Sequence, residues 1–246
     1  MALKASAEDQ AALLDLQSLD TKLNQLAHRA KKLPEIAKLA AIASETERLR
    51  VARAGQLGAV EDTKTELSRI ESDVELVQAR IVRDMERLQG SSSVKDVAGL
   101  ESELTGLRRR RDELEEIELA VMERLENDES ALQLMMAEHS AALEEGAKVG
   151  AERDGAVAAI VSEQAHTSAN RATICSKLPA DLVALYERQR GRYGSGASHL
   201  RGGVSSASGV KLLENELAAI RSSAPDDVLI CPDSQAILVR TNESGL

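Results

Sequence analysis

The chain has 246 residues and a formal net charge of -10, and it contains no Phe or Trp and only two Tyr. Because large aromatic side chains supply much of an ordinary core, this composition argues against a bulky globular domain. The negative excess lies on residues 1–176, since the residues from Lys177 onward carry eight acids and eight bases. Such an acidic segment is unsuited to lying along DNA or an anionic membrane.

The N-terminal residues contain no apolar signal segment, and no later run approaches the roughly 18 apolar residues of a membrane span. The only two cysteines, Cys175 and Cys231, are too few for a disulfide scaffold and fit free thiols in a reducing compartment. The sequence therefore predicts a cytoplasmic protein without membrane contact.

Leucine-type residues recur in alternating steps of three and four along most of the chain, a pattern typical of helices that pack as a coiled coil. The first helix is predicted to begin near Ser6, whose hydroxyl can cap it. Pro34 removes a backbone donor and predicts a break between Lys32 and Glu35. The stripe then resumes and is most regular over these positions: Val60, Thr63, Leu67, Ile70, Val74, Val77, Ile81 and Leu88.

The segment Gln89-Gly90-Ser91-Ser92-Ser93 interrupts the helix, and a second stripe begins at once: Val97, Leu100, Leu104, Leu107, Leu114, Val121, Leu125 and Leu132. So short a connection forces the two helices to run antiparallel. The sequence predicts a mainly α fold, with a long antiparallel two-helix coiled-coil hairpin over residues 1–176 and its tip near 89–96. Arg111 lies on the stripe and is expected to reach an acid on the opposing helix. The same heptads can pair two chains, so both a monomer and a homodimer stay open.

The sequence changes character at Lys177 and predicts a small ribbon-like α/β head over residues 177–246. A short helix from Leu178 to about Arg190 is followed by glycine- and serine-rich sequence over residues 191–209. Another short helix, Leu212 to Arg221, precedes two strand-like pieces that flank a Cys-Pro-Asp-Ser turn. These pieces cover residues 228–230 and 236–240.

Three tail segments, residues 178–187, 202–208 and 231–240, together with the arginine-rich segment 107–115, resemble a bacterial family. Its members join a long N-terminal coiled-coil hairpin to a C-terminal four-cysteine zinc ribbon domain, and the resemblance extends over essentially the whole chain. It implies two Cys-x-x-Cys knuckles that hold one tetrahedral zinc. Family members are thought to act by binding a partner or nucleic acid through this ribbon.

At the implied knuckle positions this chain has Ser205 and Ser208, then Cys231 and Ser234, so three of four cysteines are missing. A serine hydroxyl stays protonated near neutral pH and is a harder donor than thiolate, which makes serine a poor zinc ligand. We expect a degenerate site that holds no zinc and no other cofactor. An alternative set of His199, Asp233 and Cys231 lacks knuckle spacing and leaves one coordination position open.

The sequence contains no catalytic constellation, because His28, His139 and His166 are isolated and no nucleophile has a base at readable spacing. It does contain a basic segment with both tyrosines, to which Arg201 can be added: Tyr186, Arg188, Arg190, Arg192 and Tyr193. Arginines beside aromatic rings suit single-stranded nucleic acid or a partner surface. The competing interpretation places Tyr186 in the core of the head and the arginines on a solvated face.

Two functions follow from these observations, neither of them enzymatic. The first is an adaptor or scaffold that presents the head to an unidentified protein partner. The alternative is an RNA- or single-stranded-DNA-binding protein that acts through the basic Tyr/Arg segment.

Overall fold

The computed structural model describes residues 3–246. Within this range the helices are α1 Ala7–Lys31, α2 Pro34–Gly90, α3 Val94–Lys177, α4 Ala180–Tyr193 and α5 Glu214–Ser222. The strands are β1 Ala197–Arg201, β2 Val204–Ser205, β3 Leu229–Ile230 and β4 Ile237–Val239. The predicted mainly α fold, a long helical hairpin with a small C-terminal α/β head, is confirmed.

The helix boundaries fall where the local sequence predicts them. The Ser6 hydroxyl accepts a 3.0 Å hydrogen bond from the Asp9 N–H and caps α1. Pro34 is the first residue of α2, a position where the N–H that proline lacks would have no helical partner. Only three residues separate α2 from α3 at the predicted tip.

The described residues pack as two compact units, and the division at residue 177 stays a prediction. One unit combines the residues up to Pro34 with those from Glu152 onward, and the other is Glu35–Ala151. The reason lies in α1, since Leu13 and Leu16 belong to the same buried cluster as Tyr186 and Val239. One of the two core clusters of the head is therefore shared with α1, and the other consists of head residues alone.

In the unit Glu35–Ala151, α2 and α3 pack antiparallel as predicted. Residues further along α2 contact residues nearer the start of α3, as antiparallel helices require. The pairs are Ile42 with Gly146, Lys64 with Glu129 at 2.9 Å, and Arg80 with Glu103. Arg111 does not reach across this interface, so that expectation is wrong. Its guanidinium pairs with Asp112 at 2.7 Å and Glu115 at 3.3 Å, because these acids on its own helix are already within reach.

Two buried polar residues interrupt the apolar stripe of α2. Thr63 donates a 3.0 Å hydrogen bond to Asp128 Oδ2, and the Gln56 side chain donates to the Asp128 carbonyl at 3.0 Å. Asp84 is only 4% exposed and lies three residues after Ile81 and four before Leu88, on the stripe itself. Its Oδ2 has no hydrogen-bond partner among the described residues.

The head contains a four-stranded sheet with strand order β2-β1-β4-β3. Strand β1 pairs in parallel with β4, and the other neighbours are antiparallel. One face packs on α1 and α4 through Ala197, Ile237, Val239, Leu13, Leu16, Leu182 and Tyr186. The other face packs on α5 through Leu200, Leu238, Cys231, Leu212, Leu217 and Ile220. Strands β3 and β4 lie where the sequence predicted them, but β1 and β2 both lie within the stretch predicted as a glycine- and serine-rich connection.

None of the helices over residues 3–246 combines the length and apolarity needed to cross a membrane.

Candidate functional site

A buried cluster of charged and polar side chains joins α1, α3 and α4 within the unit that contains the head. The Tyr186 hydroxyl donates a 2.7 Å hydrogen bond to Asp20 Oδ2, and both residues are at most 2% exposed. Arg171 donates to both oxygens of the same carboxylate, at 2.7 and 3.2 Å. Glu187 accepts from Arg171 and, at 2.7 Å, from Arg190. The buried charges are therefore paired, as burial requires.

The electrostatics of this cluster favour a neutral Tyr186 beside a charged Glu187 and a charged Arg171. Burial, together with the hydrogen bond to Asp20 and the Asp20 charge, raises the pKa of Tyr186 far above its ordinary value. Partial burial would raise the pKa of Glu187, but hydrogen bonds from Arg171 and Arg190 outweigh it and lower that pKa. The hydrogen bond to Asp20 raises the pKa of Arg171 against the effect of burial.

Of the residues predicted to contact nucleic acid or a partner, some are buried or paired in the structure and others are exposed. Of the two interpretations of Tyr186, the core anchor is the one observed, so its ring is unavailable to a nucleic-acid base. Arg190 is engaged with Glu187, as above, and Arg201 pairs with Glu243 at 2.5 Å. The surface keeps three members of the segment: Arg188, Arg192 and Tyr193. The Arg192 guanidinium lies 5.4 Å from the centre of the Tyr193 ring.

A hydrogen bond links one residue of each degenerate knuckle, Ser205 and Cys231. Ser205 Oγ is 2.7 Å from Ser198 Oγ, and the Cys231 thiol donates to Ser205 Oγ at 3.4 Å. The other two serines accept from nearby backbone N–H groups: Ser208 from Val210 at 3.2 Å and Ser234 from Ala236 at 3.5 Å. Two turns with Cys-x-x-Cys spacing thus meet at Ser205 and Cys231.

These residues do not fit a structural zinc site, because one thiol cannot replace the closed set of four ligands. The described residues contain no group of three His, Cys, Asp or Glu side chains arranged to hold a metal. In the alternative set, His199 Nε2 is already 2.8 Å from Thr241 Oγ1. Burial would raise the pKa of the Cys231 thiol, but hydrogen bonds with Ser205, Ser234 and nearby backbone N–H groups lower it below its ordinary value.

A polar groove runs between α1 and β1, a site that the sequence analysis did not identify. Gln17 joins the two sides of the groove, because its Oε1 accepts hydrogen bonds from the backbone N–H groups of Gly196 at 2.8 Å and Ala197 at 3.2 Å. The cavity is open to solvent and has a volume of about 740 Å³. From the sequence alone, the α1 residues that line the groove are predicted to form the solvated face of a coiled-coil helix. Only their packing against a strand some 180 residues away makes them part of a groove.

The family and the fold are supported by comparison with known proteins. Residues 16–194 match the model described as the CT398-like coiled coil hairpin domain. The uncharacterized protein Rv2229c of Mycobacterium tuberculosis (strain ATCC 25618 / H37Rv) is 35% identical over 97% of this chain and 98% of its own length. The uncharacterized protein ML1638 of Mycobacterium leprae (strain TN) is 30% identical over 90% of this chain and 96% of its own.

Two solved structures have the same fold. A structure from Mycobacterium smegmatis superposes with a TM-score of 0.84 at 31% identity and covers 97% of this chain and 100% of that one. The structure of CT398 from Chlamydia trachomatis has a TM-score of 0.63 at 18% identity, with 94% and 97% coverage.

Proposed function

Since the chain belongs to the CT398-like coiled coil hairpin family, we propose that it acts as a non-enzymatic adaptor whose head docks on a protein partner. The proposal depends on one observation, which is the attachment of the head to α1. Leu13 and Leu16 of α1 share a core with the sheet, and Asp20 binds both Tyr186 and Arg171. A surface formed jointly by α1 and the head is thus preorganised, and a preorganised surface loses less conformational entropy when it binds.

The form of the cavities favours binding over catalysis. The cavities at the head are open grooves, such as the one beside Gln17, and an active site needs a pocket that excludes water around reacting groups. The coiled coil hairpin is also not a known enzyme fold.

Nucleic-acid binding is the second candidate, favoured by the exposure of Arg188, Arg192 and Tyr193. Binding of single strands usually combines basic residues with several stacking rings. Because Tyr186 is buried, Tyr193 is the single ring left for stacking, and for this reason we rank this function below the adaptor.

Site-specific photo-crosslinking of the full chain in cells tests the adaptor function. A photoreactive residue replaces Tyr193 on the head, and a matched probe replaces Leu119, which is 66% exposed on α3. We expect the Tyr193 probe, but not the Leu119 probe, to give a discrete crosslinked protein after nuclease treatment, and the purified partner to reproduce the crosslink. Crosslinks that disappear with nuclease would instead support the nucleic-acid function.

A further inference from the structure

The groove between α1 and β1 is built within one packed unit, and its two walls differ in character. The α1 wall presents polar side chains along one helix face: Gln17, Thr21, Asn24, Gln25, His28 and Arg29. The opposite wall consists of small residues of the head, among them Ser195, Ala197 and Ser206. A second cavity shares Gln17, Thr21 and Ser206 and extends the groove to Lys22 and His199.

The lining of this groove contains basic side chains and no acidic ones, in contrast to the acidic chain as a whole. Its lining includes a lysine, an arginine and two histidines, and it includes no carboxylate. Lys22 is paired with Glu163 at 2.8 Å, outside the lining. Arg29 has no carboxylate within 4 Å among the described residues, although its charge helps to lower the pKa of Glu163, and its guanidinium can meet a carboxylate of a ligand. In a chain of net charge -10, such a local basic surface favours an acidic ligand.

The uncharged residues of the groove suit a peptide backbone. Asn24 and Gln25 are exposed, and over residues 3–246 their side-chain amides make no hydrogen bond. Each amide can donate to a carbonyl and accept from an N–H, which is the pair of groups that an extended chain offers. No Phe, Tyr or Trp lines the groove, so the imidazoles of His28 and His199 are the only rings it offers to a nucleic-acid base.

We propose that this groove binds an extended acidic segment of a protein partner. The carboxylates of the segment face Arg29 and His28, and its backbone groups meet the amides of Asn24 and Gln25. This inference rests on the adaptor function proposed above and names the chemistry of the partner.

Fluorescence anisotropy with the full chain tests the proposal. The probes are a labelled 12-residue peptide of alternating Glu and Gly, its Gln/Gly counterpart, and a labelled 12-nucleotide single-stranded RNA. We expect the Glu/Gly peptide to bind saturably and the other two probes not to bind. Added salt should weaken this binding, because the contacts are exposed. Arg29→Glu should weaken this binding by at least about tenfold, the scale of a lost charge pair together with a new repulsion.

The matched control is Arg69→Glu, because Arg69 is also an exposed helical arginine without an ion pair in the described chain. This variant should bind the Glu/Gly peptide like the wild type. Asn24→Glu provides a second groove variant at an exposed position, should Arg29→Glu lose helix content by circular dichroism.

Three outcomes would overturn the proposal: no saturable binding of the Glu/Gly peptide, equal binding of the Gln/Gly peptide, or binding unchanged in both groove variants. RNA binding that Arg29→Glu abolishes, without peptide binding, would assign the groove to nucleic acid. The adaptor function fails separately, since a nuclease-resistant crosslink from the Tyr193 probe does not depend on the groove being occupied.

Discussion

Tyr186 and Asp20 are 166 positions apart in sequence, yet the tyrosine hydroxyl donates a 2.7 Å hydrogen bond to the aspartate Oδ2 in a fully buried setting. This contact joins α4 to α1 and lies beside the guanidinium of Arg171. A buried carboxylate needs several donors, and here the head supplies one of them. The contact therefore makes α1 part of the folded head rather than a neighbour of it.

Tyr186→Phe is expected to lower the free energy of unfolding by about 1–3 kcal/mol, because it removes a hydrogen bond to a buried charged acceptor. Equilibrium urea unfolding of the full chain measures the change. Tyr193→Phe is the matched control, since Tyr193 is 44% exposed. Equal stability of the two variants would show that the buried hydroxyl contributes nothing.

Gly196 lies against the Tyr186 ring and has no room for a side chain. A Cβ at this position would lie 2.4 Å from Tyr186 Cε2. Gly196→Ala should therefore destabilise the chain by about 1–3 kcal/mol through overpacking. Gly191→Ala meets nothing within 4 Å and lies in α4, so it should be neutral or stabilising by up to about 1 kcal/mol. Thermal unfolding followed by circular dichroism compares the two, and a stable Gly196→Ala variant would contradict the tight packing.

The ion pairs of Glu187 predict a dependence of stability on pH. Its folded-state pKa is lowered by Arg171 and Arg190, so the unfolded state binds the proton more readily. The stabilisation is present above the unfolded pKa of about 4.3 and is lost as the pH falls through the folded pKa.

Glu187→Gln tests this dependence. The stability difference between wild type and variant should be largest near pH 7 and should narrow below about pH 4.3. Urea midpoints at a series of pH values measure it. A difference that stays constant from pH 7 to pH 3 would mean that the carboxylate charge does not stabilise the fold.

Local signals in the sequence predicted the helical part of the fold, and contacts between distant residues determined the rest. Pro34 and the segment 89–93 mark the helix ends by backbone chemistry that neighbouring residues alone determine. Strand β1 escaped prediction because Ala197-Ser198-His199 has no β-branched residue, and its pairing with β4 fixes it as a strand. Likewise, the sequence around Gln17 predicts a solvated side chain. In the structure Gln17 accepts a hydrogen bond from Gly196, which is 179 positions away.

The knuckle geometry predicts that zinc binding can be built into the head. We expect the wild-type chain to carry no zinc, whereas the triple variant Ser205→Cys, Ser208→Cys, Ser234→Cys should bind one equivalent. Cys231 Sγ already lies 3.4 Å from Ser205 Oγ, and with three further thiols the two turns would supply four thiolates.

Elemental analysis of the purified proteins measures the zinc content. The control adds Cys231→Ser to the triple variant and should bind zinc only weakly, because three thiols remain. One equivalent of zinc in the wild type, or none in the triple variant, would contradict this account.

Asp84 predicts a stabilising substitution in the hairpin unit. The residue occupies a buried position of the α2 stripe, and its nearest cations, Arg80 and Arg87, are at 3.8 and 3.6 Å from its carboxylate. A buried polar group without full pairing costs about 1–3 kcal/mol, so Asp84→Leu should raise the free energy of unfolding by a similar amount. Asp73→Leu, at an exposed position of the same helix, should change it by no more than about 0.5 kcal/mol. Urea unfolding of the full chain measures both, and a destabilised Asp84→Leu variant would show that the pairing of the carboxylate with Arg80 and Arg87 within α2 outweighs the cost of its burial.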